Sequence, residues 1–354
     1  MKILKKLANE IFIEGLSGMA TGLFATLIIG TIIQQIGLLA SDEIGDMLYL
    51  IGKMAASVTG VGIGCGVAVR FKESPLVIMS AATCGMVGAF ASKMLAGTVL
   101  VDGNICYSGP GEPLGAFIAA LAGIYMGRLV SGRTKVDILI TPFLSIMTGS
   151  AVGLLLGPPI SEFMVFLGTL INMTTEQQPF VMGILVSVFM GMILTLPISS
   201  AALGIILNLS GLAAGAATAG CCANMIGFAV ASYRENKLNG LLAQGLGTSM
   251  LQIGNIMRKP IIWLPAILTS AVLGPISTMV FKMTNNATGS GMGTAGLVGQ
   301  ITTFQTMTAY ESEAVVVLKI IILHFVLPAI LSYEISEFMR RKRWIKKGDM
   351  KLKV

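Results

Sequence analysis

Leu16-Ser-Gly-Met-Ala-Thr-Gly-Leu-Phe-Ala-Thr-Leu-Ile-Ile-Gly-Thr-Ile-Ile-Gln-Gln-Ile36 runs for 21 residues without a charge. At 1.5 Å per helical residue it matches the ~30 Å hydrocarbon core of a bilayer. It does not read as a cleavable leader, because apolar stretches follow at once, at 45–69, 75–97, 113–130, 138–170, 180–207, 209–232, 238–256, 261–281, 286–301 and 314–333. Composition agrees: 54% of the 354 residues are hydrophobic and 12% are charged, about half the charged share of a soluble domain. The 43 glycines suit close-packed or interrupted membrane helices.

The net charge of +7 gathers in the tails, at Lys2, Lys5 and Lys6 and again at Arg340, Arg341, Lys342, Arg343, Lys346 and Lys347. That places both termini on the cytoplasmic side of a multi-pass plasma-membrane protein, and nucleic acid is not an expected partner. Alternating the sides from there, Asp42, Glu43 and Asp46 fall outside and Arg70 and Lys72 inside. Asp102 and Glu112 then fall outside, Arg128, Arg133 and Lys135 inside, and Glu176 outside.

Beyond Glu176 the alternation fails. Two apolar stretches separate it from the basic Arg234 and Lys237, so one of them should be re-entrant, and Leu196-Pro-Ile-Ser-Ser200 to Asn208-Leu-Ser210 carries the proline and small polar residues that irregular backbone needs. Residues 238–256 lie between Lys237 and Arg258-Lys259, enter and leave on one face, and hold Gln244, Thr248, Ser249, Gln252 and Asn255. The glycine-rich 286–301 is either a loop or a third dip. The expectation is an all-α polytopic membrane protein of about eight to ten transmembrane helices with two or three re-entrant hairpins near 196–210, 238–256 and 286–301. The expected hairpins all fall within residues 176–354. Interrupted membrane segments are the usual seat of a transported solute.

Each polar residue at membrane depth has two readings. Ser199 and Ser200 either line a solute site or bond back to helix carbonyls. Asn208 and Asn224 either meet a ligand or cap a broken helix. Thr248, Ser249, Gln252 and Asn255 must find partners within an apolar hairpin, and Thr294 sits in a glycine turn. His324, the sole histidine, is either a functional group or a neutral ring bonded to one neighbour. Lys319 is expected to pair with Glu311 or Glu313, Glu112 to be solvated, and Cys106 to be a small buried thiol. Methionines are read as core filling rather than copper ligands, so neither metal nor cofactor is expected.

Three segments carry a family resemblance: Gly123-Ile-Tyr-Met-Gly-Arg-Leu-Val130, Ile138-Leu-Ile-Thr-Pro-Phe-Leu-Ser145 and Leu156-Gly-Pro-Pro-Ile-Ser161. In order and spacing they resemble the membrane (IIC) subunit of phosphotransferase-system sugar transporters, nearest the fructose type. The run Asn285–Ile301 resembles the shorter IIC-like proteins of the perfringolysin-regulator (PfoR) type. The resemblance implies a homodimer in which residues 1–175 are the scaffold and dimerisation half and 176–354 the substrate-binding half, and a small hydroxyl-rich solute, a sugar or polyol, moved by alternating access, with separate IIA and IIB phosphocarrier proteins as partners. A non-transporting membrane sensor of the regulator type is the alternative. The chain departs from the fructose-type pattern where that pattern binds sugar. Met250 stands at the hairpin glutamate and Lys259 at an aspartate, the acid of the first hairpin is absent from Leu196–Ala202, and the late His-Gly-Gly turn falls near Gly291-Met-Gly293 without its histidine. A thioether neither accepts two hydroxyl hydrogen bonds nor polarises an attacking hydroxyl.

Overall fold

The computed structural model describes residues 7–40, 43–107, 109–175, 177–207 and 209–352. Lys2, Lys5, Lys6, Asp42, Glu176 and Asn208 lie outside the described residues. Among those described, seven helices are long and apolar enough to cross a membrane, or eight if one bent pair counts as a span. The protein is an all-α polytopic membrane protein, and the chain divides into two compact units after Met164.

In the first unit α1 (Leu7–Leu38) leads to α2 (Glu43–Ser57) and α3 (Thr59–Arg70), which meet at a 52° bend. The sequence suggested one crossing over 45–69; the structure breaks it at Val58, whose φ of −93° and ψ of 23° leave the helical region. Prolines at their first turns start α4 (Pro75–Leu95) and α5 (Pro113–Val130), where the missing N–H costs nothing. Between them β1 (Leu100–Val101) pairs antiparallel with β2 (Asn104–Ile105). The last helix, α6 (Asp137–Thr175), starts in this unit and ends in the second. Glycines bring these helices together: a Cβ added at Gly22 of α1 would overlap the carbonyl of Gly62 on α3. The outer faces keep large apolar side chains exposed, among them Ile44 and Met54 of α2 and Ile138, Phe143 and Leu155 of α6, the pattern of a lipid-facing surface. Charge gathers at one end, where Arg128 pairs with Glu10 (2.8 Å) and Glu73 (2.6 Å), and Arg70 with Glu14 (2.9 Å).

The second unit is built around α9. Its α7 (Pro179–Thr195) ends at the extended Leu196, and a short α8 (Ser200–Ile206) precedes α9 (Gly211–Ala231). Sixteen residues of α9 are buried, nearly all alanine, glycine, cysteine or threonine. Small side chains let neighbours close in from several directions, with Gly220 against the Ser187 backbone of α7 and Gly227 against Ser332 of the last helix. Next comes α10 (Tyr233–Leu242), broken at Lys237 (φ 53°, ψ −152°). A wide turn at Ala243–Gly247, an extended Thr248, a tight turn at Ser249–Gln252 and α11 (Ile253–Arg258) follow. A long apolar α12 (Pro260–Val280) leads to the one-turn α13 (Ala287–Ser290), then α14 (Val298–Met307) and α15 (Glu313–Arg341). The backbone is thus irregular in both stretches where the charge pattern called for dips, 196–210 and 238–256, and again in the glycine-rich 286–301. After α15 the tail 342–352 folds back on the unit: Met350 is buried with Phe228, Ile256, Ile262 and Trp263.

Candidate functional site

The polar side chains of 238–256 do not stand alone. The Gln244 amide donates to the Ser232 hydroxyl (2.9 Å) and the Gly240 carbonyl (2.8 Å), and its oxygen accepts from Gln252 Nε2 (2.8 Å). Gln252 Oε1 in turn accepts from Asn255 Nδ2 (2.7 Å). This ladder ends on the C-terminal tail, whose Met350 carbonyl accepts from Gln252 (2.9 Å) and from Asn236 (2.8 Å), and whose Lys351 carbonyl accepts from Asn255 (3.0 Å). Thr248 caps the tight turn by accepting from the Met250 N–H (3.2 Å), which buries the Met250 thioether.

Ser249 belongs to a second network. Its hydroxyl meets Thr195 (2.7 Å), and Thr195 donates to Asn224 Oδ1 (3.2 Å), which also accepts from Trp263 Nε1 (2.9 Å). Asn224 Nδ2 donates to Ser270 (3.1 Å) and the Gly220 carbonyl (3.2 Å). Asn224 therefore joins α7, α9, the hairpin and α12 through one amide. Each partner is buried, so the network satisfies groups that would otherwise cost about 1–3 kcal/mol apiece.

Ser200 donates to the Gly291 carbonyl (2.6 Å), tying α8 to the glycine turn, and Ser199 is buried beside it in sequence. Thr294 donates to the Gly245 carbonyl, which brings the glycine turn onto the hairpin. His324 lies elsewhere: Nδ1 is 3.2 Å from Gln300 Nε2, and Nε2, like Gln300 Oε1 and Thr303 Oγ1, is buried without a partner. Gln300 links it to Cys222 of α9 (3.4 Å) and no hydrogen bond joins it to the hairpin among the described residues.

Three expectations about side chains outside these networks meet a clear outcome. Lys319 pairs with Glu311 (2.6 Å), as read. Glu112 is not a freely solvated carboxylate: it caps α5, accepting from the Leu114 N–H, and burial pushes its pKa up to about 7 against that bond. Cys106 is exposed rather than buried: it follows β2 at the open end of an exposed strand pair, where its N–H donates to the Val99 carbonyl (2.8 Å). The residues the sequence did not single out are Thr195, Ser232, Asn236, Trp263, Ser270 and Gln300. They are isolated polar side chains in apolar runs, joined only by folding.

One open pocket of about 760 Å³ is rimmed by Ser210, Thr284, Asn285, Asn286, Thr288 and Thr306, near the N-terminal end of α9. It is uncharged. Together with the amide ladder and the Asn224 network, it makes the second unit a membrane protein interior furnished with hydroxyls and carboxamides, as a carrier of polar solutes requires. The sequence profile of the phosphotransferase system EIIC family matches residues 13–352, and the chain belongs to that family. No curated protein matches it.

Proposed function

We propose that this EIIC-family protein binds a neutral, hydroxyl-rich small molecule, a sugar or polyol, at the broken hairpins of its second unit and carries it across the membrane by alternating access. The observation that carries the reading is the chemistry of the interior: Asn224, Gln244, Thr248, Ser249, Gln252 and Asn255 offer amides and hydroxyls and no charge. Such groups match sugar hydroxyls without discriminating by charge. Ser199, Ser200 and Thr294 extend the surface toward the glycine turn, and the pocket beside Asn285 is an approach from the other end of α9.

With Met250 in place of a carboxylate, the hairpin has no group to polarise an attacking hydroxyl, so transport without phosphoryl transfer is the expected mode. IIA and IIB proteins, where they act, dock on the basic loop 128–135. The first half serves as a dimerising scaffold and the second as the moving element.

The test is uptake of labelled sugars and polyols by proteoliposomes, with and without IIA, IIB and phosphoenolpyruvate, beside Gln252→Leu. Saturable uptake that needs no phosphoenolpyruvate and is lost in the variant supports the reading. Absence of both binding and flux across the panel refutes it. One observation favours a sensor instead: the tail already takes the second amide N–H of Gln252 and of Asn255. Binding without flux would establish that reading.

A further inference from the structure

Arg234 and Lys237, at the turn after α9, and Arg340, Arg343, Lys346 and Lys347, at the end of α15 and in the tail, line a pocket of about 700 Å³. Two of these cations are paired: Arg234 with Glu337 (2.8 Å) and Arg340 with Glu235 (2.9 Å). The nearby Asp349 is taken by Lys259 (2.6 Å). Among the described residues Lys237, Arg343, Lys346 and Lys347 make no ion pair. Like charges collected in one concavity repel, and the carboxylates beside it, Glu235, Glu337 and Asp349, are fewer than its six cations.

Two further features point to something that fills it. Arg340 is nine-tenths buried, and its Nε makes no hydrogen bond, facing Glu337 only at 3.9 Å, although a guanidinium is a five-donor fork. Lys237 (φ 53°) and Arg343 (φ 61°) both stand on left-handed backbone that side chains other than glycine rarely adopt. Such departures persist where the surroundings hold them, and ligand clamps are one such place.

We propose that this pocket binds a phosphate-bearing small anion, and that the bound anion clamps the C-terminal tail over the hairpin amides. A carboxylate carries one charge, whereas a phosphate monoester brings close to two together with three strong acceptor oxygens. Four cations without an ion pair, one of them the Arg343 fork, suit the phosphate. The pocket also holds more than inorganic phosphate alone, leaving room for the rest of a phosphorylated metabolite or a lipid headgroup.

The clamp follows from the wall of the pocket. Arg343, Lys346 and Lys347 reach it only while Met350 is buried and the Met350 and Lys351 carbonyls meet Asn236, Gln252 and Asn255. An anion that requires the docked tail stabilises the docked tail. The anion site stands whether or not the hairpin carries a solute.

The experiment is amide hydrogen exchange of residues 346–352 in the full-length protein, reconstituted in phosphatidylcholine nanodiscs, with inorganic pyrophosphate or with sodium chloride of equal ionic strength. A parallel arm uses phosphatidylglycerol nanodiscs without pyrophosphate. Arg343→Gln/Lys346→Gln/Lys347→Gln removes the unpaired tail cations, and Lys351→Gln removes an exposed tail charge outside the pocket. Because these four side chains make few contacts, the variants keep the fold, which the exchange of α9 checks. Pyrophosphate at 100 times its Kd slows tail exchange by at least tenfold, the ceiling being about 100-fold for an anion that binds only the docked state. The effect disappears in the triple variant and survives in Lys351→Gln. Slowing by pyrophosphate identifies a soluble phosphate; slowing by phosphatidylglycerol alone identifies a headgroup. If neither slows exchange, if chloride does so equally, or if the triple variant responds like the parent, the proposal is overturned.

Discussion

Replacing Met350 by alanine should loosen the tail without unfolding the protein. The Met350 side chain is fully buried among Phe228, Ile256, Ile262 and Trp263. Its truncation removes about 2–3 kcal/mol of burial and packing, toward the lower end for a buried methionine because a tail at the edge of the unit relaxes easily. Five hydrogen bonds remain, from Asn236 and Gln252 to the Met350 carbonyl, from Asn255 to the Lys351 carbonyl, and from the Gly348 and Leu352 N–H groups to Glu235 and Asn236, beside the Lys259–Asp349 ion pair, each hydrogen bond contributing about 1 kcal/mol net. The tail therefore stays docked most of the time but opens roughly 30- to 150-fold more often, at 1.4 kcal/mol per factor of ten. Two amides report the opening directly, Gly348 N–H, which donates to Glu235, and Leu352 N–H, which donates to Asn236 Oδ1. Their hydrogen exchange should accelerate by that factor while exchange within α9 stays constant. An acceleration below threefold, or one shared equally by α9, would refute the idea of a locally docked tail and place Met350 in the global core.

Asn224→Leu strands the Trp263 indole N–H and takes one of three bonds from the Thr195 hydroxyl, and should lower unfolding stability in detergent by about 1–3 kcal/mol; chemical denaturation followed by tryptophan fluorescence measures it, and a change below about 1 kcal/mol would contradict the network. Gly22→Val drives a side chain into the Gly62 backbone and should cost about 1–3 kcal/mol, read as a lower melting temperature; an unchanged melt would mean that α1 and α3 are further apart. Glu112 holds its proton to about pH 7 when folded, against an ordinary value of 4.5. The folded state then binds more protons between those values, so this group's contribution falls as pH rises from 4.5 to 7 and is constant above. Parent and Glu112→Gln melting curves should diverge across that window; parallel curves would show that the carboxyl is fully hydrated.

The membrane class was legible in residues 16–36 alone, because length and absence of charge suffice for it. The irregular stretches at 196–210, 238–256 and 286–301 were legible from charge parity, proline and clustered polar residues, each of which reports backbone that cannot continue as a plain helix. The bend at Val58 was not, since no proline or polar cluster marks it. Within the candidate site, Thr248, Ser249, Gln252 and Asn255 stood out because four polar residues crowd one apolar segment. Thr195, Trp263 and Ser270 did not, since their partner Asn224 lies 29, 39 and 46 residues away. The tail was hidden for a different reason: it engages the hairpin through main-chain carbonyls, which every residue possesses. Only the isolated Ile345 and Met350 in an otherwise basic run hinted at burial.

That mode of engagement has an evolutionary corollary. Asn236, Gln252 and Asn255 grip the peptide backbone rather than any side chain, so they read where the chain runs and not what it spells. Position 351 is free to drift in charge and size while the same three amides remain occupied, whereas position 350 must stay apolar and of methionine's bulk. Selection on this terminus is therefore expected to act on its course and on its buried residues, Ile345 and Met350, which leaves its lysines and arginines available to be tuned for another purpose.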